Sequence, residues 1–212
     1  MSVHTDSKPV HHPQARDRNR SGSIVCLLGT VLAVAVVPVM GLGLNVPDGA
    51  EVTRLLIEDA GSWQAASMLA LFAAAALCLA AVRLGQRIGG TGGMVATGSG
   101  IAVAFLLGAY YASFAAGAVV ATHVVDDAGT GLGEGTLVVA NMVELTRYAP
   151  SLVLLAVALV ARRSLPKPVT IAAAVILTMI FLPFTTWIAA ILTPVWLGVA
   201  GAASREGAPA VR

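Results

Sequence analysis

Residues 136–163 read TLVVANMVELTRYAPSLVLLAVALVARR, and this stretch decides the fold. From 136 to 161 it is apolar and long enough for one helix to cross a hydrocarbon core of roughly 30 Å. It ends on Arg162 and Arg163. Inside it lie Glu144 and Arg147, the only acidic residue and the most deeply placed basic residue in any membrane-length stretch of the chain. An ionisable side chain within a span costs roughly 2.5–3.5 kcal/mol on insertion scales, so it needs a partner or a purpose. Their i, i+3 spacing puts both on one helix face, where they can pair. Asn141 and Tyr148 lie beside that face, and Pro150 leaves the carbonyl of Thr146 without its usual helical donor.

Counting back from Arg162 places the pair. The intervening helix is about 21 Å long, too short for a span, so Arg147 begins inside the hydrocarbon. It lies roughly 9 Å from the far edge of the core, within reach of snorkelling, and Glu144 lies one turn nearer that edge. Three readings follow. The pair is a structural ion pair that staples the bundle or snorkels outward, or it lines a path for a substrate or ion, or it catalyses. The first is preferred. Catalysis lacks a constellation, because no His, Asp or nucleophile–base pair accompanies the two residues inside a span.

The rest of the chain agrees with a membrane setting. Of 212 residues, 57% are hydrophobic and 11% charged, where soluble chains average about 25% charged. The mean hydropathy is +0.84. A net charge of +2 gives no basis for nucleic-acid binding. Cys26 and Cys78 both fall in apolar segments and read as small core residues rather than a disulfide framework.

Outward from the deciding stretch, further spans are expected at 23–44, 63–82, 94–120, 169–183 and 187–203. The first is too long for a signal h-region and lacks a small-residue cleavage site, so it reads as a retained helix. Residues 1–22 read as a disordered tail, with His4, His11 and His12 in it, and 204–212 as a second flexible tail. Between the first two spans, Val52, Leu55, Leu56 and Ala60 recur at helical spacing, which predicts an amphipathic helix over 48–60 lying on the membrane surface and capped by Asp48. Trp63 follows at the polar boundary. Gly89-Gly90-Thr91-Gly92-Gly93 reads as a flexible turn, because it lacks the Gly-Lys-Ser/Thr ending of a phosphate loop. Tyr110 and Tyr111 lie near the middle of the third span, and one is expected to hydrogen-bond to a neighbouring helix. The final apolar run from 169 to 203 would be about 52 Å long as one helix, so a hairpin turning near Pro183 fits better. A single broken helix is the alternative.

The connections alternate in charge. Lys8, Arg16, Arg18 and Arg20, then Arg83 and Arg87, then Arg162, Arg163 and Lys167 are basic, and the intervening connections are acidic. The positive-inside rule therefore puts the N-terminus in the cytoplasm and the acidic loops outside. His123, Asp126, Asp127 and Glu134 carry metal-binding atoms, but their spacing matches no metal motif and they read as a solvated acidic loop. No cofactor or metal is expected. Hydrolase signatures are missing as well, with no His-Glu-x-x-His and no Gly-x-Ser-x-Gly.

The amphipathic segment 48–59, the polar position early in the fourth span, the turn Ser164-Leu165-Pro166-Lys167 and the terminal Leu192-Thr193-Pro194-Val195-Trp196-Leu197 together resemble small bacterial multi-pass membrane proteins of unknown function. The resemblance implies about six helices in a bacterial cell membrane and carries over no activity or site residue. The longer polar connector that some such proteins have before the last helix is missing here. The expectation is thus an all-α transmembrane bundle of five to six spans. Its expected role is non-enzymatic, as an accessory or scaffold component acting through helix contacts. The lipid bilayer, a second copy or another membrane protein would be its partners. The alternative is a small transporter or channel subunit with Glu144 and Arg147 on the path.

Overall fold

A computed structural model describes residues 13–39, 48–123, 130–182 and 184–204. Every regular element among them is a helix: α1 (Pro13–Val39), α2 (Gly49–Glu58), α3 (Ala60–Ile88), α4 (Gly90–His123), α5 (Thr130–Val160), α6 (Lys167–Phe181) and α7 (Thr186–Ala203). Four of these, α3, α4, α5 and α7, are long and apolar enough to cross a membrane. The apolar part of α1, Arg20–Val36, and the whole of α6 are shorter. His4, His11, His12, Gly41, Gly43, Asp126, Asp127, Pro183, Arg205 and Arg212 lie outside the described residues.

The frame is an α3–α4 antiparallel pair built on small residues. Gly85 faces Thr97, Gly100 faces Ala81 and Gly108 faces Ala74. A Cβ at Gly100 would stand 2.6 Å from that of Ala81, so the missing side chain is what lets the backbones approach. The same close approach explains why α4 starts at Gly90, four residues earlier than expected. A side chain at Gly93 would strike the carbonyl of Gly85, and only Gly89 and Gly90, with φ of 73° and 57°, form the turn.

On one flank of α3, α7 runs parallel to it and antiparallel to α1. Gly198 fits against Cys26, Thr30 and Leu77, and Gly201 against Ala80. On the other flank α4 packs on α5, where Gly117 meets Thr136. α1 begins at Pro13, inside the stretch expected to be a tail. Proline fits the first helical position, where its missing N–H has no helical partner to lose.

α2 is capped as its sequence predicts: the Asp48 side chain accepts from the Glu51 N–H at 2.8 Å. Val52, Thr53 and Leu56 are buried. This face packs on α4 and α5. The Gly133 N–H donates to the Thr53 hydroxyl at 2.9 Å, and Gly49 abuts Glu134. That docking accompanies a start of α5 at Thr130, six residues before the expected boundary. On the open side of α2, hydrogen bonding to Glu51 and the neighbouring Glu58 hold the Arg54 guanidinium above its usual range.

The last two helices form the expected hairpin, closed by Trp196 Nε1 donating to the Val169 carbonyl at 2.8 Å. With 15 residues, α6 rises about 22 Å, so the turn falls short of a full ~30 Å crossing. The turn satisfies its own backbone. Thr185 donates to Met179 O and Thr186 to Leu182 O, both at 2.9 Å, covering carbonyls that the end of α6 leaves open. Phe184, 88% exposed, projects from the tip.

The two ends of the bundle differ in charge. Arg83, Arg87, Ser164 and Ser204 gather at one end, linked by hydrogen bonds, while α2 with Asp48, Glu51 and Glu58 sits with Glu134 at the other. From Trp63, at the acidic end of α3, to Arg83 the helix rises about 30 Å, one hydrocarbon thickness.

Candidate functional site

The pair that the sequence singles out is formed, but loosely. Arg147 Nη2 stands 3.9 Å from Glu144 Oε1, with the arginine side chain 6% and the glutamate side chain 23% exposed. Tyr148 Oη donates to Glu144 Oε1 at 3.3 Å. Helical spacing stacks Asn141, Glu144 and Tyr148 in one column along the flank of α5, and Arg147 points inward beside it. Asn141 is exposed and makes no hydrogen bond to the ion pair among the described residues.

The depth follows from α4. The Arg147 guanidinium lies over the Tyr110 ring, 5.9 Å from its centroid. Tyr110 meets Tyr111 edge-on at 5.2 Å and Phe114 at 5.4 Å, and Phe114 stacks on Trp63 at 5.0 Å. Trp63 Nε1 donates to Leu55 O of α2 at 3.0 Å. An aromatic column thus runs from the arginine to the acidic end, and Tyr110 lies one turn deeper than the Trp63–Phe114 layer. Among the described residues neither Tyr110 nor Tyr111 makes the expected hydroxyl bond to a neighbouring helix, and Tyr110 meets Arg147 through its ring face. A cation over an aromatic face is worth about 0.5–2 kcal/mol, the upper end when desolvated.

This arrangement leaves the guanidinium underused. It carries five N–H donors, and among the described residues none makes a hydrogen bond, the closest carboxylate oxygen being at 3.9 Å. The helix offers little locally. Ser151 Oγ already donates to the Arg147 carbonyl at 2.8 Å. Among the described residues no group of three or more His, Cys, Asp or Glu converges as metal ligands would.

A second buried arginine does more than the flanking charge its sequence position suggests. Arg83 is 3% exposed and donates through Nη2 to Ser204 O at 3.2 Å, at the C-terminal end of α7. Gly22 of α1 lies against its guanidinium. Ser23 Oγ donates to Ala202 O at 3.0 Å, and Arg87 Nε to Ser164 O at 2.9 Å beside the α5–α6 turn. Arginines at the end of a span satisfy open carbonyls and meet the negative end of the helix dipole. The signal available in the sequence was Gly22, whose missing side chain makes room for Arg83. Compared with known proteins, the chain matches no family model, no curated sequence and no solved structure.

Proposed function

We propose that this chain is a non-enzymatic accessory or scaffold protein of a bacterial cell membrane, docking another membrane helix on the outward face of α5. It crosses five to six times, with the basic end and the N-terminus in the cytoplasm. The alternating connections and the shared basic end of Arg83, Arg87 and Arg162 support that orientation.

One observation carries the docking. In its most apolar window α5 is only 28% buried, against 44–50% for the other three candidate spans. Val138, Met142, Leu145, Val153 and Val160 line an exposed stripe, with small Ala149 and Ala156 between them. The exposed amide of Asn141 flanks it, and an amide facing hydrocarbon gains from a partner helix that bonds to it. The partner is a second copy of the chain or another membrane protein. A photo-cross-linking residue placed at Ala149 should give a discrete adduct in native membranes, weakened by Asn141→Leu. Cross-links to lipid alone, with a monomeric purified protein, would remove this reading.

The second reading, a small transporter or channel subunit with Glu144 and Arg147 on its path, draws on the underused guanidinium. Replacing both residues with Gln should then abolish the function lost in a deletion strain while the protein still folds. An unchanged phenotype would end it.

A further inference from the structure

Glu144 and Arg147 pair across one turn of α5 but lie at different depths. α5 enters at the acidic end, so Glu144 lies one turn, about 4.5 Å, nearer that end than Arg147. The carboxylate is the more exposed of the two, at 23%, and the guanidinium side chain is nearly buried, at 6%. The positive group is therefore the deep one and the negative group the shallow one. Side chains on a helix lean toward its N-terminus, so both lean toward the acidic end. Together the charges cancel, and neither is saturated. The guanidinium holds no hydrogen bond among the described residues, and Glu144 accepts one, from Tyr148, on Oε1.

We infer that Arg147 and Glu144 form a binding site for a zwitterion. Its anionic group sits deep on the Arg147 guanidinium, and its cationic group sits shallow on the Glu144 carboxylate. A site whose charges cancel discriminates against a ligand of net charge, which would leave one charge uncompensated in a poorly hydrated place. Planar guanidinium donors suit a carboxylate or a phosphate in two-point contact. The order of charge along α5 matches an ethanolamine-type lipid headgroup, in which the phosphate lies nearer the hydrocarbon and the ammonium nearer water. A free amino acid or phosphoethanolamine presents the same chemistry. The Tyr110 ring lies against the guanidinium at 5.9 Å, and Tyr148 donates to one oxygen of Glu144, so the other, Oε2, would take the ligand's cation.

The inference rests on the membrane placement of α5 and not on a partner helix, which the Ala149 cross-link reports separately. Its test has two arms on the full chain purified in detergent. In the first, native mass spectrometry compares retention of phosphatidylethanolamine and phosphatidylglycerol of matched acyl chains. In the second, calorimetry titrates free O-phosphoethanolamine and glycine. The wild type should prefer the zwitterionic lipid over the anionic one, and Arg147→Gln should weaken its retention about tenfold or more. Glu144→Gln should reverse the order, because the site then carries a net positive charge. Binding in the first arm alone identifies a lipid headgroup, and binding in the second identifies a free zwitterion. If neither arm shows binding, or if Glu144→Gln leaves the lipid preference as in the wild type, the inference fails. Should Arg147→Gln not fold, the Glu144→Gln reversal still decides it.

Discussion

Arg83 and Arg147 are buried to a similar degree and held in opposite ways. Arg83 sits where α1, α3 and α7 meet, and the fold brings it the Ser204 carbonyl at 3.2 Å. Arg147 sits in mid-helix and finds a carboxylate at 3.9 Å and an aromatic face. The first completes a helix end. The second keeps donors in reserve. Burial of a charge therefore does not by itself mark a functional site, and the kind of partner, a helix-end carbonyl for Arg83 and a carboxylate with an aromatic ring for Arg147, separates the two cases.

The contrast breaks most violently at Gly201, in the frame that holds the Arg83 end together. A side chain there would stand 2.5 Å from the Cα and Cβ of Ala80. Overpacking of a core costs about 1–3 kcal/mol when side chains yield, and more when backbone must move. Gly201→Val should abolish the monodisperse peak in size-exclusion chromatography. Next in size is Arg83→Met, which leaves the buried Ser204 carbonyl without that donor. A loss of about 1–3 kcal/mol is expected, read as a lower unfolding midpoint in detergent. Smallest is Arg147→Met, which removes a cation–π contact worth about 0.5–2 kcal/mol and no hydrogen bond. Adding Glu144→Gln to it should recover part of that loss, because a lone part-buried carboxylate is no longer left behind.

The sequence carried the helices and the pair but not how the pair is held. The apolar helices, four of them long enough to span, and the Asp48 cap were readable because apolar length and local side-chain-to-backbone bonding are short-range properties. The i, i+3 spacing of Glu144 and Arg147 was readable for the same reason. The starts of α4 and α5 were not, since Gly90 and Thr130 belong to helices through packing with α3 and α2, which a turn-like glycine composition hides. Tyr110 beneath Arg147 depends on the register of α4 against α5, fixed by contacts such as Gly117 with Thr136. The burial of Arg83 is not legible for a related reason. A basic residue just past an apolar run sets topology by the positive-inside rule, and nothing local tells whether it also turns inward to close a neighbouring helix.

The most direct test sets Arg83→Met beside Arg147→Met and reads two quantities from each, the unfolding midpoint and the retention of phosphatidylethanolamine by the folded fraction. Arg83→Met should show the larger fall in midpoint with wild-type lipid retention per folded molecule, and Arg147→Met a smaller fall with retention lost. Equal destabilisation by the two, with wild-type retention in folded Arg147→Met, would contradict the division between a structural and a binding arginine.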